Sequence, residues 1–504
     1  MTGSEIAPPE VDIELGWVAG IRTTAGRAWL GIPYARPPVG PLRLREPLPA
    51  ERWTGVRDCT RLPHPAVQFT LPGVPPAEQA KGSEDCLTLN VWTPGVGSEP
   101  RPVLVWIHGG GFVAGSGAFF DGTRLAAATG CVVVTLNYRL GPLGFLYLDG
   151  LAGSDDFASN IALRDIIAAL EFVGGNISGF GGDPGNMTIF GESAGAMLIG
   201  ALLGSPRAKG LFAKAALFSG AASNVHPADR ATEIARYFLG AAGLRKDGLA
   251  DLRQIPIDAL RRAAAAVNDR SVELPWNSEA FLPVVGDDIL PVDPLAAVAG
   301  GSGASVPLLI SVLRDEMNLF LQRVPSLCTG KEVYNRDLLG GATWERLEAE
   351  YAAFSDSPES ARRDLLTDAM FSVPAIRLAE AYEAAGGRSF MMRIDAGLDL
   401  PPYDQLGPCH GQDVGMIWDD YVSGGAADSI VTGGSARDKA AAAAVQGLLA
   451  SFATGGTPSV GERGDWERYR PERRCVFLLD RRSGIVVDPA SARRRAWEGL
   501  LAAR

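Results

Sequence analysis

Gly191-Glu192-Ser193-Ala194-Gly195 places a serine between two glycines at the spacing G-x-S-x-G. A serine hydroxyl is a weak nucleophile, so it must be pushed out on a strained turn where a base can reach it, with a strand before the turn and a helix after it. The glycines remove Cβ atoms that would collide with that strand and helix. In a chain with 61 glycines the pattern alone says little. Its surroundings say more: Met187-Thr188-Ile189-Phe190 reads as a strand, and Ala196 to Leu203, apolar on every side, reads as a buried helix. The chemistry available to such a serine is acyl transfer, whose intermediate carries negative charge on the former carbonyl oxygen. His108-Gly109-Gly110-Gly111-Phe112 follows another apolar strand. Backbone N–H groups of Gly110 and Gly111, joined by that of Ala194, are the expected donors to this oxygen, because a glycine loop lets the amides approach it closely.

A base is found by elimination, because the chain has only four histidines. His64 lies in a Pro-rich segment, His108 opens the glycine loop and His226 sits in a polar stretch soon after the serine. His410 remains, in the late loop Gly407-Pro408-Cys409-His410-Gly411-Gln412-Asp413, which suits the order serine, acid, histidine. With an ordinary pKa it is neutral and competent above pH ~6.5. The acid that orients the imidazole belongs at a strand end between Ser193 and His410. Pro307-Leu308-Leu309-Ile310-Ser311 reads as that strand, and Asp315 and Glu316 follow it. Spacing does not choose between them.

These groups need a frame to hold them. Short apolar runs such as Val103 to Ile107 and Val132 to Leu136 alternate with helix-period segments, the pattern of a mostly parallel sheet covered by helices on both faces. Between Asn160 and Phe172, apolar residues at 163, 166, 167 and 170 mark one helix face, ending near Gly174-Gly175. Residues 225 to 280 and 325 to 400 offer no clear strands and read as helical insertions over the sheet, all within one catalytic domain spanning 1 to 504. Gly-Gly clusters near 300 and in 424 to 434 read as surface loops.

Composition narrows the function classes. A net charge of -11 opposes binding to nucleic acid and to anionic lipid. Met1 to Glu10 has neither a basic stretch nor an apolar core, so the expectation is a cytoplasmic protein. The apolar stretch Ala440 to Ala453 falls short of the ~20 residues needed to span a bilayer. Six cysteines without CxxC or Cys/His spacing suggest buried thiols and no metal site. A small-molecule substrate is the expected partner, and both monomer and homodimer fit the pattern.

Several blocks resemble the type B carboxylesterase family, whose relatives include bacterial esterases, cholinesterases and the non-catalytic neuroligins. They are Gly31-Ile32-Pro33-Tyr34-Ala35-Arg36-Pro37-Pro38-Val39-Gly40, Glu84-Asp85-Cys86-Leu87-Thr88-Leu89-Asn90-Val91, Asn137-Tyr138-Arg139-Leu140-Gly141-Pro142-Leu143-Gly144-Phe145, Phe180-Gly181-Gly182-Asp183-Pro184 running into the serine motif, and Phe452-Ala453-Thr454-Gly455. The resemblance implies an α/β-hydrolase fold and cofactor-free hydrolysis of carboxylic esters through an acyl-enzyme. It implies Glu316 rather than Asp315 as the acid, supporting roles for Glu192 and Ser219, and an ion pair between Arg43 and Glu84. Amide, carbamate or thioester hydrolysis on the same groups, or a neuroligin-like binding role, are the alternatives. The partner that secreted relatives give the signature cysteine would fall near Ala66, so Cys86 reads as a free thiol, with Cys59 near enough in sequence to keep a bond open. Ala162, Ile166 and Ser311 depart from the family's usual residues.

Overall fold

Alternate residues along each central strand enter two different hydrophobic cores. Val103, Val105 and Ile107 pack into one, while Leu104 and Trp106 pack into the other. A strand whose two faces are both buried reads as an unbroken apolar run. The computed structural model describes residues 7–70, 82–95, 99–151, 153, 156–244, 249–276, 279–401, 403–420, 434–459 and 466–500. Within them an 11-stranded sheet forms the centre. Its strands, labelled β1 to β11 in chain order, are Ile21–Thr23, Gly26–Pro33, Thr88–Thr93, Arg101–Ile107, Val132–Leu136, Gly182–Glu192, Lys214–Phe218, Leu308–Leu313, Ser389–Ile394, Cys475–Leu479 and Gly484–Val487.

The spatial order is β1-β2-β3-β5-β4-β6-β7-β8-β9-β10-β11. From β5 to β10 every neighbouring pair is parallel. Antiparallel pairs finish both edges. Helices Ile161–Asn176, Ala194–Gly204 and Val373–Ala384 contribute to the core on one face, and Thr123–Thr129, Gln412–Trp418 and Ala436–Gly455 to the core on the other. Among the described residues no helix is long and apolar enough to cross a membrane.

The first insertion holds helices Ala228–Ala241 and Ile257–Ser271, as its composition suggests. The second needs correction. Helices Pro325–Leu339, Gly341–Phe354, Pro358–Thr367 and Val373–Ala384 fill it only as far as residue 384, because β9, Ser389–Ile394, is an interior strand of the sheet. Ser-Phe-Met-Met-Arg-Ile is short and has few β-branched residues, so periodicity does not separate it from a helix. The helix read from Asn160 to Phe172 extends to Asn176 and absorbs Gly174 and Gly175. The glycine cluster at 424 to 433 lies outside the described residues, whereas Gly300 ends a short helix and is exposed.

Two ion pairs, one part-buried and one buried, tie the loops to this frame. Arg43 grips Glu84 through two hydrogen bonds of 2.6 Å and also donates to the carbonyls of Leu252 and Ile255, so it joins the amino-terminal region to the first insertion. Arg139, in the segment after β5, holds Asp165 of helix Ile161–Asn176 through bonds of 2.8 and 2.6 Å, with its own backbone N–H adding a third at 3.1 Å. Both side chains of this second pair are almost wholly buried. Removing one partner would strand the other charge without water. Asp165→Ala is therefore expected to cost ~3–5 kcal/mol in equilibrium denaturation; a loss under ~1 kcal/mol would contradict this account of the pair.

Candidate active site

The sequence elements converge at the carboxyl ends of the parallel strands, where loops of open α/β sheets present their chemistry. β6 ends at Glu192, and Ser193 turns the chain into helix Ala194–Gly204 with φ +54° and ψ -126°. A non-glycine residue held there stores ~1–3 kcal/mol of strain. The surroundings allow no relaxation: a Cβ on Gly195 would lie 2.0 Å from the Ile107 carbonyl oxygen, and one on Gly191 would lie 2.5 Å from the same atom. The Ser193 N–H is fixed by the carbonyl of Phe218 at 2.9 Å.

β4 ends at Ile107 and delivers the glycine loop. Gly110 adopts φ +113° and Gly111 φ +59°. The Gly110 carbonyl accepts from the N–H groups of Val113 and Ala114, which closes the turn. Among the described residues, no protein group accepts from the N–H of Gly110, Gly111 or Ala194. His108 stiffens the loop: its ring stacks on Tyr138 at 4.4 Å, Tyr138 donates to its carbonyl at 2.7 Å, and its Nδ1 lies 2.8 Å from the Gly109 oxygen. Burial pushes its pKa down to about 4, which keeps it neutral.

β8 ends at Leu313, whose N–H donates to Glu316 Oε1 at 2.8 Å. The other carboxylate oxygen, Oε2, lies 2.7 Å from His410 Nδ1, and His410 Nε2 lies 2.9 Å from Ser193 Oγ. Asp315 turns away to Arg314 and Arg363. Of the other histidines, His64 is exposed, and His226 is buried against the Glu279 carbonyl with its pKa lowered to about 3 by desolvation.

Three buried carboxyl groups share this space. Glu192 Oε1 lies 3.3 Å from His410 Nε2. Asp413, on helix Gln412–Trp418, accepts from Ser219 Oγ at 3.4 Å. Burial alone would depress the His410 pKa, but the charge of Glu192, the hydrogen bond and charge of Glu316 and the charge of Asp413 outweigh it, lifting the pKa to about 9. The ordinary value near 6.5 expected from sequence therefore gives way to an elevated one. Glu192 itself is raised to about 7, chiefly by desolvation, and Asp413 well above the usual carboxylate range for the same reason. Two phenyl rings, Phe320 and Phe371, each lie 4.9 Å from the imidazole centroid.

Sequence reasoning missed Asp413, Phe320 and Phe371. Asp413 stands three residues after His410 and was visible as a neighbouring acid. Phe371 gives no such hint, since it reaches the histidine from a single π-helical turn, Asp368–Ser372, inside the second insertion. The cysteine reading is matched: all six are free and buried, Cys59 and Cys86 included.

A serine on a strained elbow, hydrogen-bonded to a histidine that is bonded in turn to a glutamate, on a sheet of this order, defines a serine hydrolase of the α/β-hydrolase fold. Comparison with known proteins narrows the class. The carboxylesterase family profile matches residues 7–496. Para-nitrobenzyl esterase of Bacillus subtilis is 35% identical over 96% of this chain and 97% of its own length. Fatty acyl-CoA hydrolase of Anas platyrhynchos is 31% identical over 95% of this chain and 90% of its own length. Among solved structures, a PNB esterase superposes with a TM-score of 0.83 at 34% identity, covering 97% of this chain and 100% of its own. A Geobacillus stearothermophilus carboxylesterase gives 0.84 at 33% identity, with the same coverage. The chain belongs to the carboxylesterase family, and its activity is serine-dependent hydrolysis of carboxylic esters.

The electrostatics generate a pH signature. If His410 takes the serine proton, its raised pKa moves the acid limb of kcat/KM upward, because the imidazole must then lose its own proton to act. Glu192→Gln removes the largest influence that raises it, so the limb should move to lower pH, toward 6.5. An unmoved limb in a pH series on a neutral aryl ester would show that Glu192 does not set the base.

Proposed function

We propose that Ser193 is the nucleophile, His410 the general base and Glu316 the acid that holds the base, in a two-step hydrolysis of small carboxylic esters. The reading is supported above all by one observation: an unbroken chain of short contacts, 2.7 Å from Glu316 Oε2 to His410 Nδ1 and 2.9 Å from His410 Nε2 to Ser193 Oγ. His410 takes the serine proton as Oγ attacks the ester carbonyl. The tetrahedral oxyanion accepts hydrogen bonds from the N–H groups of Gly110, Gly111 and Ala194. On collapse, the imidazolium returns the proton to the departing alcohol oxygen and an acyl-enzyme remains. Water then attacks, His410 again taking the proton, and the carboxylic acid leaves as Ser193 recovers its hydrogen.

Glu192 and Ser219 act in support. Glu192 places negative charge beside the imidazolium that forms in each step, and Ser219 fixes Asp413 behind it. We read the chain as one catalytic domain that uses water as its co-substrate. We place it in the cytoplasm, in keeping with six cysteines that carry no disulfide.

Ser193→Ala is expected to lower kcat on a small aryl ester by ~10⁴-fold or more, with the thermal midpoint little changed. Turnover within tenfold of wild type would refute the nucleophile. Gly110→Ala puts a Cβ 2.2 Å from the Ala114 carbonyl oxygen in a backbone region that suits glycine alone. Its kcat should fall ~10²–10³-fold, the scale of a lost oxyanion donor, and unchanged kcat would remove Gly110 from the hole.

A further inference from the structure

We propose that Arg493 and Trp497, near the carboxyl terminus, are positioning residues for catalysis: they clamp the π turn Asp368–Ser372 so that Phe371 stays packed against His410. The inference rests on His410 serving as the base.

The linkage can be followed atom by atom. Arg493 Nε and Nη2 each lie 2.7 Å from a different oxygen of Asp368, and Nη2 also donates to the Asp364 carbonyl at 3.2 Å. Tyr351 donates to Asp368 Oδ2, and the Trp497 indole N–H donates to the Tyr351 hydroxyl at 2.9 Å. Tyr351, Asp368 and Trp497 are all buried. Asp368 is the first residue of the π turn, and Phe371, three residues on, touches the imidazole. The residue before the turn faces the acid, since Thr367 Oγ1 accepts from the N–H of Met317, next to Glu316, at 3.3 Å.

π turns are rare and occur mostly as single turns inside α-helices, frequently at functional sites. Beside this one lies a cavity of about 70 Å³, bordered by Asp368, Ser372, Val373, Ile376 and Arg493. No side chain of the described residues packs into that space, so the turn has room to shift if the clamp is cut. A shift would withdraw Phe371, admit water to the imidazole and loosen its aim at Ser193. Hydration favours the imidazolium, so the base pKa would rise. The charged groups facing the ring are Glu192 from the end of β6, Glu316 from the loop after β8 and Asp413 from helix Gln412–Trp418. None of them is altered in the test.

The experiment compares kcat, KM and the pH dependence of kcat/KM for Arg493→Ala, Trp497→Phe, Phe371→Ala, the Arg493→Ala/Phe371→Ala double variant and Arg494→Ala. Arg494 sits on the same terminal helix but pairs with Asp488 and Glu498. Arg493→Ala and Phe371→Ala should each lower kcat about tenfold, within the scale of small misplacements, with KM changed less and the acid limb displaced upward. The double variant should be no worse than Phe371→Ala alone. Trp497→Phe should follow in the same direction to a smaller extent, and it carries the test if Arg493→Ala fails to fold. Arg494→Ala should leave kcat and the limb unchanged. Variants of Arg493 and Trp497 that lose thermal stability with kcat and the limb unmoved, or a double variant whose losses multiply, would overturn the inference. His410→Gln separates the two levels: if it retains turnover, the assignment of the base fails, and if it abolishes turnover while Arg493→Ala leaves the limb in place, only the clamp fails.

Discussion

The carbonyl oxygen of Ile107, at the end of β4, is crowded by the elbow that follows β6. Side-chain atoms at Gly191 or Gly195 would come within 2.5 and 2.0 Å of it. Parallel pairing sets Ile107 opposite Gly191 and so fixes this proximity. Because two strand ends meet with no room for a Cβ, Ser193 is held at φ +54° beside the loop that carries Gly110 and Gly111. The hydroxyl and the amide donors are thus placed by the same contact, and the strain in the serine is sustained by the core beneath it, where helix Ala194–Gly204 is wholly buried. The chemistry depends on backbone packing before it depends on any side chain.

Around this contact the protein gathers more negative charge than a single acid requires. Glu316 is fully committed, with one oxygen held by the Leu313 N–H and the other by His410. Glu192 adds charge that a buried imidazolium would otherwise lack, Asp413 stands nearby with its own ionisation opposed by burial, and the two phenyl rings restrict the exposure of the imidazole to water. The balance favours a base that holds its proton firmly once it has taken it. In the proposed role of base, such a group would help stabilise the tetrahedral state, at the expense of a larger protonated fraction at neutral pH.

Much of this was legible in the chain. Ser193 and the glycine loop follow from strand, turn and helix context, and His410 from the scarcity of histidines. The acid was not legible from spacing: Asp315 and Glu316 are adjacent, and what separates them is that the Asp315 carboxylate turns to Arg314 and Arg363 while Glu316 turns inward. Resemblance pointed to Glu316, the carboxylate that lies 2.7 Å from His410 Nδ1. β9 escaped because a six-residue segment with two methionines, a serine and an arginine has no distinctive period. Arg139 and Asp165, or Phe371 and His410, are far apart in sequence and meet only through tertiary closure, so no local pattern announces them.

The convergence of serine, imidazole and amide donors is tested most directly by a crystal structure of the enzyme after reaction with a small organophosphonate. The account requires phosphorus bonded to Ser193 Oγ, with the phosphoryl oxygen ~2.7–3.1 Å from the N–H groups of Gly110, Gly111 and Ala194 and His410 Nε2 still facing the bonded oxygen. Phosphorus on another side chain, or a phosphoryl oxygen directed away from all three amides, would contradict it.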